Sequence, residues 1–384
     1  MAPAHRHPGD VGITSPDHRP PPDHRGRGME TAWRSFASDN YAGPHPDVLA
    51  AVAASTAGHA GAYGDDDVTA RLDVAVKREF GPAAEAFPTF NGTGANVVAL
   101  ASLVRGRGAV VCADTAHVHV DEGGAPEAIA GLKLWTVPTP DGRLTPGLVD
   151  AQAWGFDDVH RARPAVVSIT QSTESGTVYS PAEIAALADH AHARGMRLHV
   201  DGARLANAAA SLGVSLGAVT SAVGVDAVTF GGTKNGALGA EAVIVFDRET
   251  AESVRRLRKT FGQLPSKMRF ISAQLLALLD GELWRRNASH ANAMAERLAA
   301  AVGGIPGVSI VKPVQANAVF AVLPPDVTAR LQIRHRFYTW NRFTGEVRWM
   351  CSWDTTPADV DSFAADVARE SAAQRRESLG SRLG

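Results

Sequence analysis

Cysteine is scarce: the chain has two in 384 residues, Cys112 and Cys351. They lie far apart without metal-ligand spacing, each in an apolar run, so buried thiols in a reducing, cytoplasmic compartment are expected. No uninterrupted apolar span is long enough for a transmembrane helix. No charge of one sign dominates; the formal net charge is −2, which leaves no global electrostatic case for nucleic acid or an anionic membrane. There is no Walker loop, no complete GxGxxG and no internal repeat of fixed period. Residues Met1–Gly28 almost lack large apolar side chains and have no apolar h-region. They read as a disordered Pro/His-rich extension rather than a signal peptide. Its histidines (His5, His7, His18, His24) leave a metal-binding tail as the alternative, and foldable sequence begins near Met29.

What is present suits a soluble globular protein, with 45% hydrophobic and 20% charged residues. The length allows about two domains. The expected division is an N-terminal arm and large domain over 29–265, a smaller α+β domain over 266–371 and a flexible tail over 372–384. The chain is organised around Phe230-Gly231-Gly232-Thr233-Lys234-Asn235-Gly236. An apolar run from Asp226 to Phe230 reads as a buried strand, and another, Glu241 to Phe246, follows almost at once. A lysine between them sits near the core, where an ammonium is costly unless paired or discharged. Loss of charge is what an amine nucleophile needs. The plainer reading is a surface lysine in a Gly-rich hairpin.

The clearest unit lies upstream. Ala165 to Thr170 reads as a strand. Ser180-Pro181-Ala182-Glu183 is a capping box with proline at the first helical position, and Gly195 ends the helix. Met196 to Val200 is a strand closing on Asp201-Gly202-Ala203-Arg204. This βαβ spacing predicts a parallel sheet and puts Asp201 at a strand's carboxyl end, where open α/β sheets bind ligands. Asn91-Gly92-Thr93-Gly94-Ala95-Asn96 opens a helix whose free N–H groups suit a phosphate, or simply starts a tightly packed helix. Asp65-Asp66-Asp67 reads as a helix cap before Val68 to Phe80. His117, His119, Asp121 and Glu122 could form a metal site or an active-site edge. On a strand His117, His119 and Asp121 share a face; on a helix His117 and Asp121 do. The aromatic stretch from Arg336 to Trp353 is either small-domain core or pocket wall.

A lysine after a buried strand, an aspartate ending the preceding strand and a small-residue helix start are together what pyridoxal phosphate requires. The chain from about Ser35 to Val360 closely resembles the low-specificity L-threonine aldolases. It does so through Ser38-Asp39-Asn40-Tyr41-Ala42-Gly43, Tyr63-Gly64-Asp65-Asp66, Asn91 to Asn96, Glu122 to Glu127, His199 to Arg204 and Thr233 to Gly236. The resemblance implies the aspartate-aminotransferase fold: a large α/β domain with a mainly parallel sheet, plus a smaller C-terminal α+β domain. It implies a lyase that cleaves β-hydroxy-α-amino acids to glycine and an aldehyde; a β-eliminating lyase or racemase on the same fold is the alternative. Pyridoxal 5'-phosphate would be held covalently by Lys234, through its ring nitrogen by Asp201, at its phosphate by Gly92, Thr93 and Gly94, and by His117 stacked on its ring, with Arg204 also counted among the cofactor's contacts. Ser38, Arg204 and Arg348 would bind the substrate carboxylate. The base would be His117, favoured, or Glu174, which stands where some relatives carry histidine, or a bound water. No metal is implied. A homodimer or homotetramer with shared active sites is, and Arg258, Lys259, Lys267 and Arg269 either reach a neighbour's phosphate or form a solvated helix face.

Overall fold

The computed structural model describes residues 34–106 and 108–380. The extension Met1–Gly28 lies outside them. Seven strands form the main sheet: β1 (Glu85–Thr89), β2 (Ala109–Ala113), β3 (Lys133–Val137), β4 (Pro164–Thr170), β5 (Arg197–Gly202), β6 (Ala227–Gly231) and β7 (Glu241–Val245). Their order is β1-β7-β6-β5-β4-β2-β3. All pairings are parallel except those of β7, which runs against both β6 and β1. The strands read as continuous apolar runs because helices cover the sheet, among them Gly92–Leu103 and Pro181–His192. Val111, Val167, Leu198, Val200, Val228 and Ile244 are buried in one core with both helices' apolar side chains.

The anticipated βαβ unit is present. Ser180 Oγ accepts from the Glu183 N–H at 3.3 Å, and Glu183 Oε2 accepts from the Ser180 N–H at 2.7 Å. Asp66 caps the helix Asp67–Phe80 by accepting from the Thr69 N–H at 2.8 Å. Chain order along the sheet reverses around β2, with β3 on one side and β4 on the other. Such reversals open a crevice at the carboxyl ends of the strands. The segments carrying Gly92, His117, Glu174, Arg204 and Lys234 all leave that edge, after β1, β2, β4, β5 and β6.

A second sheet holds β8 (Ser309–Ile310), β9 (Ala318–Val322), β10 (Tyr338–Asn341) and β11 (Glu346–Met350), all antiparallel, in the order β10-β11-β9-β8. Side chains alternate along its strands. Val319, Ala321, Val347 and Trp349 enter a core with the helices Leu283–Val302 and Pro357–Gly380, while Ala318, Phe320 and Met350 form a cluster on the other face.

Several boundaries differ from the sequence reading. The aromatic stretch is split: Phe337 and Trp349 are core, whereas Tyr338 and Trp340 belong to β10, a strand the pattern did not show. The helix Pro325–Gln332 was likewise not visible. Leu275, Trp284 and Ala288 pack in the core of the large sheet, Leu275 because the helix Arg269–Leu279 lies on the helix Asp67–Phe80, the other two because Leu283–Val302 lies on the helix Leu205–Leu212. The last helix runs beyond residue 371 to Gly380, with Ser371 buried and Arg375 bonded to the Pro306 carbonyl. Both cysteines are buried free thiols. Among the described residues no single helix is long and apolar enough to cross a membrane.

Candidate active site

A cavity of about 430 Å³ opens at the carboxyl edge of the large sheet, against the second sheet. Ser38, His117, Glu174, Arg204, Lys234 and Arg348 line it, joined by Tyr338 and Trp340 of β10. Six residues spread over 311 positions thus meet in one space. Asp201 lies behind them, 3% exposed at the end of β5. Gly92, Thr93 and Gly94 open a helix whose Asn96 side chain reaches Asp201.

The Asp201 carboxylate accepts from Asn96 Nδ2 at 2.9 Å and from the Ala203 N–H at 3.1 Å. Burial would raise its pKa, but the charges of His117 and Lys234 and the Ala203 N–H outweigh burial and carry it below the ordinary value. Asn96 also donates to Glu122 Oε1 at 2.8 Å and accepts from Thr229 Oγ1 at 3.0 Å. Its fully used amide therefore fixes two buried carboxylates at a set spacing.

His117 begins a single helical turn, His117–Val120, so it shares the cavity wall with Asp121 while His119 is exposed. The strand option is thereby corrected. His117 Nδ1 lies 3.0 Å from Glu122 Oε1, leaving Nε2 as the ring nitrogen available to a ligand. Burial would lower the imidazole pKa; the Glu122 hydrogen bond and the charges of Glu174 and Asp201 override it and hold His117 above its ordinary value. Burial and Asp201 hold Glu122 up despite its bonds to His117 and Asn96. His117, Glu122 and Asp201 place ligand atoms within 4.8 Å of one another, close enough for a cation, but a hydrogen bond already joins His117 to Glu122 and the Asn96 amide bridges Glu122 to Asp201.

Lys234 sits in the turn Thr233–Asn235 that follows β6. The glycines before it are there for close approach. A Cβ at Gly231 would lie 2.6 Å from the Ala203 carbonyl oxygen, and one at Gly232 would lie 2.6 Å from that of Ala240. Gly236 closes the turn at φ +100°, a conformation that disfavours other residues. Underneath, buried Glu241 accepts from the Thr233 N–H at 3.3 Å, and burial pushes its carboxyl up to about 7.

The two arginines differ. Arg204 forks onto Asp39, with Nε–Oδ2 at 2.7 Å and Nη2–Oδ1 at 2.9 Å, and Asn317 Nδ2 adds a bond to Asp39 Oδ2 at 3.0 Å. Arg348 has no acidic partner among the described residues; its one hydrogen bond runs from Nη2 to the Ala37 carbonyl at 3.3 Å, and Nε is buried and unpaired. Burial and repulsion by Arg204 bring its guanidinium down to about 10. At the helix start, the Gly94 N–H is occupied by Asn91 Oδ1 at 2.8 Å, so Gly92 and Thr93 carry the open donors.

Of the basic cluster, Arg258 is 6% exposed and donates to the Pro88 carbonyl, which removes it from any solvated face, whereas Lys259 lies over the Tyr63 ring at 5.3 Å. Sequence reasoning gave no role to Asp39, Asn96 or Glu241; of the aromatic stretch read as core or pocket wall, Tyr338 and Trp340 line the cavity. Asp39 and Asn96 stand inside motifs that were recognised, which was the available signal.

This edge-of-sheet site on a reversing, mainly parallel α/β fold defines a class. The profile of the beta-eliminating lyase family matches residues 35–324, and the chain belongs to that family. Its relatives include the low specificity L-threonine aldolases of a Pseudomonas sp. and of Pseudomonas aeruginosa, 44% and 45% identical, each alignment covering 88% of this chain and 98% of the relative. The structure of Leishmania major threonine aldolase superposes with a TM-score of 0.82 at 27% identity, covering 88% of this chain and all of that one.

Proposed function

We propose that the chain is a pyridoxal 5'-phosphate-dependent aldolase that cleaves L-threonine, L-allo-threonine or related β-hydroxy-α-amino acids to glycine and an aldehyde. The observation that carries this reading is one cavity joining Lys234, the buried ionised Asp201 behind it and an arginine, Arg348, that lacks an acidic partner among the described residues. These residues fit the cofactor. Lys234 would hold it covalently, Asp201 its ring nitrogen, and His117 its ring face. The helix start at Gly92, Thr93 and Gly94 would take the phosphate, chiefly through the first two N–H groups. Once bound, the cofactor supplies a sink for the electron pair released at Cα.

The chain's own residues do the rest. Arg348 and Ser38 bind the substrate carboxylate, and Arg204, locked by Asp39, shapes that end of the pocket. His117 takes the β-hydroxyl proton through Nε2, held in place by Glu122 at Nδ1, with Glu174 as the alternative base across the cavity. The Cα–Cβ bond breaks, the proton leaves the hydroxyl, and a proton returns to Cα; threonine gives glycine and acetaldehyde. A cytoplasmic location and an assembly of two or four copies with shared sites belong to the same reading, the first supported by two free thiols.

The test is spectroscopic and chemical. Cofactor-loaded protein should show a visible absorption band that borohydride removes, and Lys234→Ala should lack both band and activity. L-threonine, L-allo-threonine or phenylserine should release glycine. Elimination or racemisation of another amino acid, with no glycine from any of these, would replace the aldolase by a lyase or racemase.

A further inference from the structure

Arg348 poses a physical problem that its role does not solve. The residue is 6% exposed, and Nε has no partner among the described residues. An unpaired buried cation is costly. Arg204 repels it, and Glu174 and Asp39 attract it across the site, but neither bonds to it. Beyond the Ala37 carbonyl, to which Nη2 donates at 3.3 Å, what lies against the guanidinium is aromatic. Its Cζ is 4.5 Å from the centroid of Trp340 and 5.9 Å from that of Tyr338.

The strands explain how the rings get there. Tyr338 on β10 stands opposite Arg348 on β11. Between Thr339 and Asn341 the register shifts, so Trp340 is the extra residue of a β-bulge. Bulges re-aim side chains and recur beside active sites. Phe320 of β9 braces the indole edge-on, with centroids 5.6 Å apart at 76°. The Tyr338 hydroxyl meets the Tyr41 hydroxyl at 2.9 Å. Both rings and Arg348 line the cavity.

We propose that Trp340 is a positioning residue: its indole face holds the Arg348 guanidinium, which has no acidic partner among the described residues, in the cavity, ready for an α-carboxylate, and so sets the affinity for amino acids. This rests on the reading that Arg348 receives the substrate carboxylate. A desolvated cation–π contact of this kind corresponds to about a tenfold change in affinity.

The experiment compares the cofactor-loaded parent with Trp340→Leu, Trp340→Met and Trp340→Phe. Glycine binding is followed by the change in visible absorption, with ethanolamine as the amine without a carboxylate. KM and kcat are measured for whichever β-hydroxy amino acid the parent cleaves. Leu and Met should weaken glycine binding and raise KM about tenfold while kcat changes by less than about threefold. Phe should retain most of the affinity, and ethanolamine binding should not move. Met replaces Leu should that variant fail to fold. The proposal is overturned if the Leu or Met variant binds glycine like the parent, if Phe is as weak as they are, if ethanolamine affinity falls in step, or if the parent does not bind glycine. A parent that binds glycine through Trp340 but cleaves no β-hydroxy amino acid defeats the aldolase reading and leaves this one standing. A parent that cleaves them without dependence on Trp340 does the reverse.

Discussion

Glu241 shows how one buried side chain under the lysine turn makes stability depend on pH. In an unfolded chain its carboxyl ionises near 4.5, while in the fold burial holds it at about 7. Above 4.5 the unfolded chain gains by releasing the proton and the folded one does not, so stability falls as pH rises from there to about 7 and the loss is complete above it. Glu241→Gln mimics the neutral form and keeps an acceptor for the Thr233 N–H. The variant should therefore gain about 2.5 kcal/mol on the parent between pH 5 and pH 8 in urea unfolding. A gap of equal size at both pH values would sink the idea. At this scale sequence legibility was uneven. Lys234 and Asp201 stood out because each follows a buried strand with small residues around it. Asn96 did not, because the group that gives it meaning, Asp201, is 105 residues away.

At the scale of elements, local signals were strongest where the chain solves its own problem nearby. Ser180 and Glu183 satisfy two helix-start groups within four residues, and the helix follows. Ser180→Ala should lower stability by about 1 kcal/mol in urea unfolding, with the cavity and its activity unaffected. A loss near zero would mean that Glu183, which also pairs with Arg143, carries the cap alone. Strand β10 gave no such signal. Its bulge and half-buried pattern break the alternation that marks a strand, and its pairing partner fixes it instead. The turn at His117 is also set from outside, since Glu122 and Asn96 hold what a one-turn helix cannot hold itself.

At the scale of the whole molecule, Asp39 ties three regions together. It lies in the N-terminal arm, forks with Arg204 after β5 of the large sheet and accepts from Asn317 just before β9 of the small one. Asp39→Ala strands a buried guanidinium and should cost about 3–5 kcal/mol in urea unfolding, with a raised KM as the Arg204 end of the pocket loosens. A cost below about 1 kcal/mol would show that water or another acid replaces Asp39 without difficulty. The sequence by itself determined the parallel α/β class, the βαβ unit that closes on Asp201 and the placing of Asp201 and Lys234 at strand ends, because apolar runs, caps and strand ends are short-range consequences of residue type. Only the tertiary structure decided which arginine has a buried acidic partner. Asp39 neutralises Arg204 from 165 residues away, while Arg348 has only the Ala37 carbonyl and an indole against it among the described residues. Charge pairing in a buried site depends on which groups the fold brings together, and spacing along the chain carries no record of that.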